Sequence, residues 1–452
     1  MPRIQESRGS CDPAIRGFPE SVAKFASDEN WAQLPIGGLS GGGFRATHAG
    51  LHAAPRAAIH PGVKPHAALL ALAVAAASLP AQPAFRVRPQ TIDAKISIGY
   101  GLAIADVDGD GKADILLADA KQIVWYRAPG WEKFVMAENL TPKDNVCLAA
   151  RDLDGDGKCE VAVGAEWAPT DTVNSGAVFL LEAPADRTQR WKAVKLPHDP
   201  TTHRMHWMRG PNERNLLAVL PLHGRGNKNN EGTGVVLLGY EWPWKEGGRT
   251  FPVFGSDAGL HATHNFDLAP NQVSLVATKE GVRTLTTEKG SWENARMKTS
   301  TSLPAGEVRL GRATNRTLFT ATIEPMHGNT LAVYRGNTDT DLTSSRLVLD
   351  DTLVQGHGLA TGDLLGVGSD QIVVGSRGNN RPGDKFGLKL YAPTDATGAA
   401  WKLHAVIDDG QMACEDLKLA DLNGDGRLDI IAAGRATKNV IIYWNETGTA
   451  RP

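Results

Sequence analysis

Three acidic stretches decide the fold of this chain: Asp106-Val-Asp-Gly-Asp-Gly-Lys-Ala-Asp114, Asp152-Leu-Asp-Gly-Asp-Gly-Lys-Cys-Glu160 and Asp421-Leu-Asn-Gly-Asp-Gly-Arg-Leu-Asp429. A short apolar run precedes and follows each stretch, so each is expected to form the tip of a β-hairpin. Oxygen-bearing side chains at loop positions 1, 3, 5 and 9 can converge on a hard cation, and the glycines permit the tight turn. The predicted Ca²⁺ ligands are Asp106, Asp108, Asp110, Asp114, Asp152, Asp154, Asp156, Glu160, Asp421, Asn423, Asp425 and Asp429.

The recurrence of this loop indicates an internal repeat. A single acidic loop would be explained as a solvated turn, because Asp-Gly turns are common. Three loops with the same spacing and the same flanking strands are typical of a repeat protein. They resemble the calcium loops of FG-GAP/VCBS propeller repeats, and this resemblance implies structural Ca²⁺.

The spacing of the repeats predicts the number of blades. Asp106 and Asp152 are 46 residues apart, and similar strand–loop–strand units begin near residues 99, 145, 202, 263, 306, 356 and 414. Each unit continues into a third strand, and a tryptophan often opens a fourth, as at Trp131, Trp191, Trp292 and Trp401. Four strands repeated seven times predict an all-β, seven-bladed β-propeller, with a six-bladed ring as the main alternative.

The last unit lacks its fourth strand, because it stops at Asn445. The segment Phe85-Arg-Val-Arg-Pro-Gln-Thr-Ile92 is similar in pattern to the fourth strand Trp401-Lys-Leu-His-Ala-Val-Ile407. The mature N-terminal strand is therefore predicted to complete the seventh blade and to close the ring.

The region before residue 82 is predicted to lie outside the propeller. Residues 63–81 are expected to be a signal peptide, because an Ala/Leu-rich run too short for a stable membrane span ends in Ser78-Leu-Pro-Ala-Gln-Pro-Ala84. Residues 1–62 are interpreted as a misassigned or disordered extension, and 82–452 as the propeller. We expect a secreted or periplasmic protein. Its formal net charge of -2 argues against nucleic acid as a partner.

Polar residues are sorted onto two faces by the propeller geometry. The acidic hairpin tips share one face, whereas the starts of the first strands and the loops after the second strands share the other. Five histidines fall on that second face, near the propeller axis, together with arginines and carboxylates. They are His203, His223, His264, His327 and His357. Motifs for hydride or phosphoryl transfer are absent from the sequence, so these chemistries are poor interpretations.

Several phrases on this face resemble the propeller domain of the aldos-2-ulose dehydratase family. They are Thr201-Thr-His-Arg-Met205, Pro221-Leu-His-Gly-Arg-Gly226, His264-Asn-Phe266, Ile323-Glu-Pro-Met-His-Gly328, Leu349-Asp-Asp351 with Gln355-Gly-His357, Asp408-Asp-Gly-Gln-Met-Ala-Cys-Glu-Asp416 and Gly434-Arg-Ala-Thr-Lys-Asn439. The similarity covers most of residues 85–446. It implies elimination of water from keto-sugars such as 1,5-anhydrofructose. That family also carries cupin domains after its propeller. Three alternatives follow: the propeller alone holds the site, activity requires a separate cupin-like or other protein partner, or the chain is a binding remnant.

Elimination beside a carbonyl needs an electrophile for the developing enolate and groups that move protons. The predicted ligands of a divalent metal on this face are His203, His264, His357 and Glu415, a set that suits Zn²⁺ or another transition metal better than Ca²⁺. The remaining catalytic candidates are His223 and His327 as proton carriers, Arg225 and Arg377 as binders of substrate oxygens, and Glu324. The sequence does not decide which histidine is a ligand and which is a base.

Two classes of function therefore remain open. The first is an extracytoplasmic carbohydrate lyase or dehydratase that acts on keto-sugars and releases water or a glycosidic leaving group. The alternative is a non-catalytic, calcium-stabilised propeller that binds glycans or proteins, because propellers serve both purposes. A polysaccharide lyase of the same architecture is a weaker third option. The convergence of histidine and arginine on one face favours the enzyme.

Overall fold

A computed structural model describes residues 82–209, 215–245, 248, 250–254, 259–268, 273–288, 291–315, 317–336 and 345–448. In these ranges the chain is all-β and forms seven sheets of four antiparallel strands. The predicted seven-bladed propeller is thereby confirmed, and the six-bladed alternative is wrong. The predicted extension and signal peptide lie outside the described residues.

Each of the first six blades uses four strands in sequence order, from the axis outward. The first two blades contain β2 (Gly101–Ala105), β3 (Asp114–Ala118), β4 (Gln122–Arg127), β5 (Glu132–Glu138), β6 (Cys147–Arg151), β7 (Glu160–Ala165), β8 (Ala177–Glu182) and β9 (Lys192–Leu196). The next two contain β10 (Thr202–Arg209), β11 (Asn215–Pro221), β12 (Leu237–Glu241), β13 (Thr250–Phe254), β14 (Thr263–Leu268), β15 (Val273–Thr278), β16 (Arg283–Glu288) and β17 (Ser291–Thr299). The fifth and sixth contain β18 (Glu307–Arg312), β19 (Leu318–Glu324), β20 (Thr330–Arg335), β21 (Ser345–Asp350), β22 (Gly356–Gly362), β23 (Gln371–Ser376), β24 (Gly387–Pro393) and β25 (Trp401–Asp409).

The seventh blade joins the two ends of the described chain. It contains β26 (Cys414–Ala420), β27 (Asp429–Gly434), β28 (Asn439–Asn445) and, as its outer strand, β1 (Val87–Asp93). Val87 pairs with Asn445, and the indole Nε1–H of Trp444 donates to Oε1 of Gln90 over 2.8 Å. The predicted closure by the N-terminal strand is confirmed. The innermost strands contact one another in order, and β26 contacts β2, so the ring is complete.

The core lies between neighbouring blades. The middle strands are apolar on both faces, since each sheet packs against a sheet on either side; β3 is buried along its whole length. Leu116 and Trp125 of the first blade pack with Val161 and Trp191 of the second. Full burial of a side chain of this size contributes about 2–3 kcal/mol relative to exposure. The ring is thus held by apolar contacts, which leaves the axis free for polar side chains.

The ring defines two ends of a central channel. The first strands begin at one end, and the loops between first and second strands, including the acidic loops, lie at the other. Across the described ranges, helices of the length and apolarity that a bilayer crossing requires are absent.

Candidate functional site

Four histidine rings meet where the first strands begin. His203, His264 and His357 belong to β10, β14 and β22, and His327 lies in the turn after β19. The ring centroids of His264 lie 4.6 Å from His203, 4.7 Å from His327 and 5.2 Å from His357. Trp167 stacks on the His203 ring at 4.8 Å. All four rings are buried, and we call them the histidine cluster.

The hydrogen bonds of the cluster fix the tautomers of its rings. Arg377 Nη2 lies 3.1 Å from His327 Nδ1 and can only donate, so the proton of a neutral His327 sits on Nε2. His327 Nε2 lies 2.9 Å from His264 Nε2 and donates to it. His264 Nδ1–H in turn donates to the Gly306 carbonyl over 3.0 Å and lies 3.1 Å from Glu307 Oε1. A directed chain of donors therefore runs from Arg377 to Glu307.

Three of these rings could hold a metal. One ring nitrogen from each of His264, His327 and His357 lies within 4.8 Å of the others. His264 and His357 direct Nδ1 at the carbonyl oxygens of Gly306 and Glu415, the usual second contact of a ligating histidine, which leaves each Nε2 lone pair available. His327 fits once Arg377 turns away from Nδ1 and the Nε2 proton leaves. The donor set suits a transition metal such as Zn²⁺.

Two buried carboxylates neutralise the arginines around the cluster. Burial alone would raise the pKa of Glu415, but Arg435 and Arg377, at 2.9 and 3.1 Å, hold that pKa well below its usual range. Burial opposes ionisation of Glu307 as well, yet the hydrogen bond from His264 and the charge of Arg309 lower its pKa to about 2. Both carboxylates are therefore anions at neutral pH, supplied with partners by the chain itself.

His203, His327 and His357 are neutral at physiological pH. Burial, reinforced by nearby arginines, lowers the pKa values of His203 and His327 well below the usual range. Burial also lowers the pKa of His357 to about 3. Neutral rings offer lone pairs to a metal or act as neutral hydrogen-bond donors, and they are weak proton acceptors.

Not every residue predicted for this site lies in the cluster. Glu415 uses both carboxylate oxygens on arginines, and His203 lies beside the three potential ligands rather than among them. His223 Nδ1 contacts the His261 carbonyl, and Arg225 forms an exposed ion pair with Asp199. Glu324 is buried and accepts from Thr322, Tyr334 and Arg346 within its own blade. Of the predicted catalytic set, the structure brings only His327 and Arg377 to the cluster.

A channel cavity of about 370 Å³ adjoins the cluster. Tyr100, Arg204 and Asn265 line it beside the histidines, and Arg309 and Lys418 line it further along the channel. Asn265 Nδ2 donates to Glu307 Oε2 over 2.6 Å, and Arg309 Nη2 lies 3.4 Å from the same oxygen. Glu307 therefore links the cluster to residues that line the cavity. A cavity of this size is in the usual range for small-molecule sites.

Sequence reasoning missed Arg204, Asn265, Arg309 and Lys418 as functional candidates. A signal for them existed, because each is a polar residue inside an innermost strand whose neighbours in the sequence are apolar or belong to the histidine face. Backbone bulges near the starts of β10 and β14 change which side of the strand these residues occupy, and spacing alone does not predict a bulge.

The acidic loops at the opposite end have a repeated local geometry. Asp106 accepts from the backbone N–H groups of Gly109 and Gly111 at 2.7 and 2.8 Å, and both glycines have positive φ, 82° and 80°. Asp152 and Asp421 repeat this pattern. Carboxylate oxygens approach one another within 4.8 Å in two groups, which are Asp106, Asp108, Asp114 and Asp152, Asp154, Glu160.

The ninth-position carboxylates of the first two loops are desolvated, and at Glu160 the charge of Arg187 offsets only part of this effect. Burial raises the pKa of Asp114 to about 6 against hydrogen bonds from Ala128 and Val107, and Asp108 adds repulsion. Burial likewise raises the pKa of Glu160 to about 7. Oδ1 of Asp108 is buried with no hydrogen-bond partner in the described part of the chain. These features fit a hard cation, and Ca²⁺ binding stays a prediction.

Comparison with known proteins supports the repeat and the fold. The FG-GAP-like repeat family matches residues 95–163. Curated proteins give no match. A chain of the mitotic checkpoint complex is similar over 79% of this chain and 93% of that chain, with 12% identity and a TM-score of 0.52. Virginiamycin B lyase from Staphylococcus aureus is similar over 79% and 99%, with 12% identity and a TM-score of 0.48. At such identities the likeness concerns the fold, so this chain is a seven-bladed β-propeller with an FG-GAP-like repeat.

Proposed function

We propose that the protein is a secreted or periplasmic carbon–oxygen lyase that eliminates water, or a glycosidic leaving group, from keto-sugars at the histidine cluster. The observation that carries this proposal is the convergence of His264, His327 and His357 beside a cavity that can admit a sugar. A binding-only propeller needs no such set of buried imidazoles with ring nitrogens directed at one point.

The residues divide into a metal-holding set and a substrate-facing set. His264, His357 and His327 would hold a divalent transition metal, which when bound supplies a Lewis acid for a sugar carbonyl. Arg204 Nη1 donates to His203 Nε2 over 2.9 Å, so the proton of neutral His203 sits on Nδ1. Nδ1 of His203 has no hydrogen-bond partner among the described residues. His203 can therefore donate from Nδ1 to a developing enolate oxygen, as neutral imidazoles do in other enzymes.

Glu307 is the proton acceptor in this proposal. Its contacts with Asn265 and Arg309 connect it to the cavity, and its low pKa keeps it ionised throughout the neutral range. Glu307 is a weak base, so the step relies on the acidity of a C–H beside a carbonyl that a bound Lewis acid would polarise. The proton that Glu307 accepts would pass to the departing oxygen, which leaves as water or an alcohol. Arg204 and Asn265 are placed to orient sugar oxygens in the cavity.

The acidic loops have a separate role in this proposal. Ca²⁺ held by the groups around Asp114 and Glu160 would stabilise the hairpins at the far end of the channel, where these groups contribute nothing to the chemistry. A separate cupin-like or other protein remains a proposed partner in the activity.

The test is direct measurement of elimination. Purified protein supplied with Zn²⁺, Mn²⁺ or Mg²⁺ is incubated with 1,5-anhydrofructose or a 3-keto-glycoside, and growth of enone absorbance is followed. We expect turnover by the wild type and loss of at least about a hundredfold in His264→Ala and His357→Ala, because a ligand is removed. Glu307→Gln should lower kcat with little change in KM.

Asp108→Ala is the matched control, since it removes a candidate ligand at the opposite end of the channel. This variant should keep the turnover of its folded fraction. The proposal fails if the wild type with each metal eliminates nothing from any keto-sugar tested, or if the His264 and His357 variants keep full activity. In the first case the alternative, a glycan- or protein-binding propeller, becomes the better interpretation.

A further inference from the structure

The channel cavity beside the histidine cluster has an unusual charge. Four cations line it, and Asp416 is the single carboxylate among its described lining residues. The cations are Arg151, Arg204, Arg309 and Lys418. The lining therefore carries a formal charge of about +3, four cations less one carboxylate.

The single carboxylate that lines the cavity, Asp416, already has hydrogen-bond and ion-pair partners within the chain. Lys418 Nζ lies 2.8 Å from both oxygens of Asp416. The backbone N–H groups of Leu102 and Leu417 donate to the same carboxylate at 2.8 and 2.9 Å. Asp416 thus neutralises Lys418 and forms no ion pair with the arginines that line the cavity.

The contacts of Arg204 and Arg309 within the chain leave part of their hydrogen-bonding capacity unused. Arg204 Nη1 donates to the His203 ring and to the His203 carbonyl, both neutral acceptors. Arg309 Nη1 donates to the Val308 carbonyl over 2.6 Å, and its distance to Glu307 is a long 3.4 Å. In the described part of the chain no carboxylate lies within ion-pair distance of Arg204 or Arg151. Fixed guanidinium groups in a narrow, low-dielectric channel attract an anion and bind it through paired N–H donors.

The cavity also continues along the axis. A second cavity of about 490 Å³ shares His206, Arg309, Lys418 and Leu419 with the first. Its two carboxylates, Asp267 and Asp370, accept from the backbone N–H groups of Leu310 and Arg312 at 2.8 and 2.7 Å. The channel can therefore admit a ligand longer than one small ion while keeping cationic side chains at its centre.

We propose that the channel cavity is an oxyanion site, in which Arg204 and Arg309 bind the carboxylate of a sugar acid or a phosphate group. The proposal deepens the proposed function, on which it rests for the identity of the ligand as a sugar: the keto-sugar substrate is anionic. Its acidic group lies among the arginines of the channel while its carbonyl faces the histidines.

Binding is tested by calorimetry with sodium phosphate, sodium glucuronate and glucose, at constant ionic strength set with chloride. The wild type should bind at least one of the two anions saturably and should not bind glucose. Arg204→Gln should weaken that binding roughly tenfold or more, the usual loss for one charge-assisted hydrogen bond. Arg204→Lys keeps the charge, so its anion affinity should lie between those of the wild type and Arg204→Gln. Tighter binding of glucuronate assigns a sugar acid, and tighter binding of phosphate assigns a phosphate ester.

Arg86→Gln is the control, because Arg86 is exposed, precedes the outermost strand β1 and loses the same charge. It should bind as the wild type does. If the melting curve shows that Arg204→Gln does not fold, anion binding is measured with Arg309→Gln instead. Absence of saturable binding in the wild type overturns the proposal, and equal binding in the wild type and in folded Arg204 and Arg309 variants means an adventitious ion only. No turnover is involved, so this failure is distinguishable from a failure of the lyase proposal.

Discussion

Both ends of the channel contain clustered carboxylates, but the pKa values of these carboxylates shift in opposite directions. At the histidine end, Glu415 and Glu307 are paired with arginines and a histidine, and their pKa values fall. At the acidic-loop end, Asp114 and Glu160 are buried among further carboxylates, and their pKa values rise to about 6 and about 7. One end is balanced by the chain itself. At the other, Arg127 pairs with Asp108 at 2.9 Å, and we propose that an external cation balances the ninth-position carboxylates.

This difference indicates what each end could bind. Buried imidazoles with directed lone pairs suit a transition metal, and Arg204, whose described contacts are to neutral acceptors, suits an anion. Clustered carboxylates with backbone N–H groups behind them suit a hard cation such as Ca²⁺. In our proposal, the catalytic end is thus distinguished from the structural end by donor type rather than by burial alone.

The largest expected difference between the two ends is in the effect of a substitution on the transition-metal content of the protein. We expect purified wild type to retain a transition metal, and His264→Ala to lose nearly all of it, because two histidines rarely hold such an ion without a third donor. Asp108→Ala should keep the transition metal. Elemental analysis after dialysis measures both.

His404→Ala is the matched control for this measurement, since His404 lies in β25 and its Nε2 contacts the Pro83 carbonyl, away from the cluster. Equal transition-metal content in wild type and His264→Ala would contradict the assignment of the three histidines as ligands.

The sequence predicted the propeller well because its signals are local and repeated. The seven unit starts fall within about two residues of the innermost strands, and the pairing of β1 with β28 follows from one missing strand. The site was harder to predict. Which of two adjacent residues, such as His203 and Arg204, faces the cluster depends on a bulge, and the ion pairs of Glu415 depend on contacts between strands far apart in sequence.

Calcium should act only on the acidic-loop end. A ligand that binds the native state alone stabilises it by about 2.7 kcal/mol at one hundred times its dissociation constant. Chelation with EDTA should therefore lower the melting temperature by several degrees, and Asp154→Ala should reduce this sensitivity. Asp171→Ala is the control, because Asp171 accepts similar turn hydrogen bonds from Asn174 and Val173 outside any carboxylate group. If neither Ca²⁺ nor EDTA changes the melting temperature, the loops are solvated turns that do not bind Ca²⁺.

The smallest effect concerns a carboxylate that belongs to neither proposed ion site and is balanced by the chain itself. Burial alone would raise the pKa of Asp350, but hydrogen bonds from Lys389, Thr352 and Tyr391 lower it from 3.8 to about 2. Because the folded-state pKa is below the unfolded value, Asp350 stabilises the fold fully above about pH 4 and loses that contribution as the pH falls towards 2.

Asp350→Asn should therefore cost roughly 2 kcal/mol of unfolding free energy at pH 7, and the difference from wild type should shrink as the pH falls below 4. Chemical denaturation at a series of pH values measures this, with the exposed neighbour Asp351→Asn as the control. If the difference in unfolding free energy between wild type and Asp350→Asn stays constant from pH 7 to pH 3, Asp350 stabilises the fold through packing rather than through its charge. The distinction between carboxylates balanced by the chain and carboxylates that need an ion would then have to rest on metal binding alone.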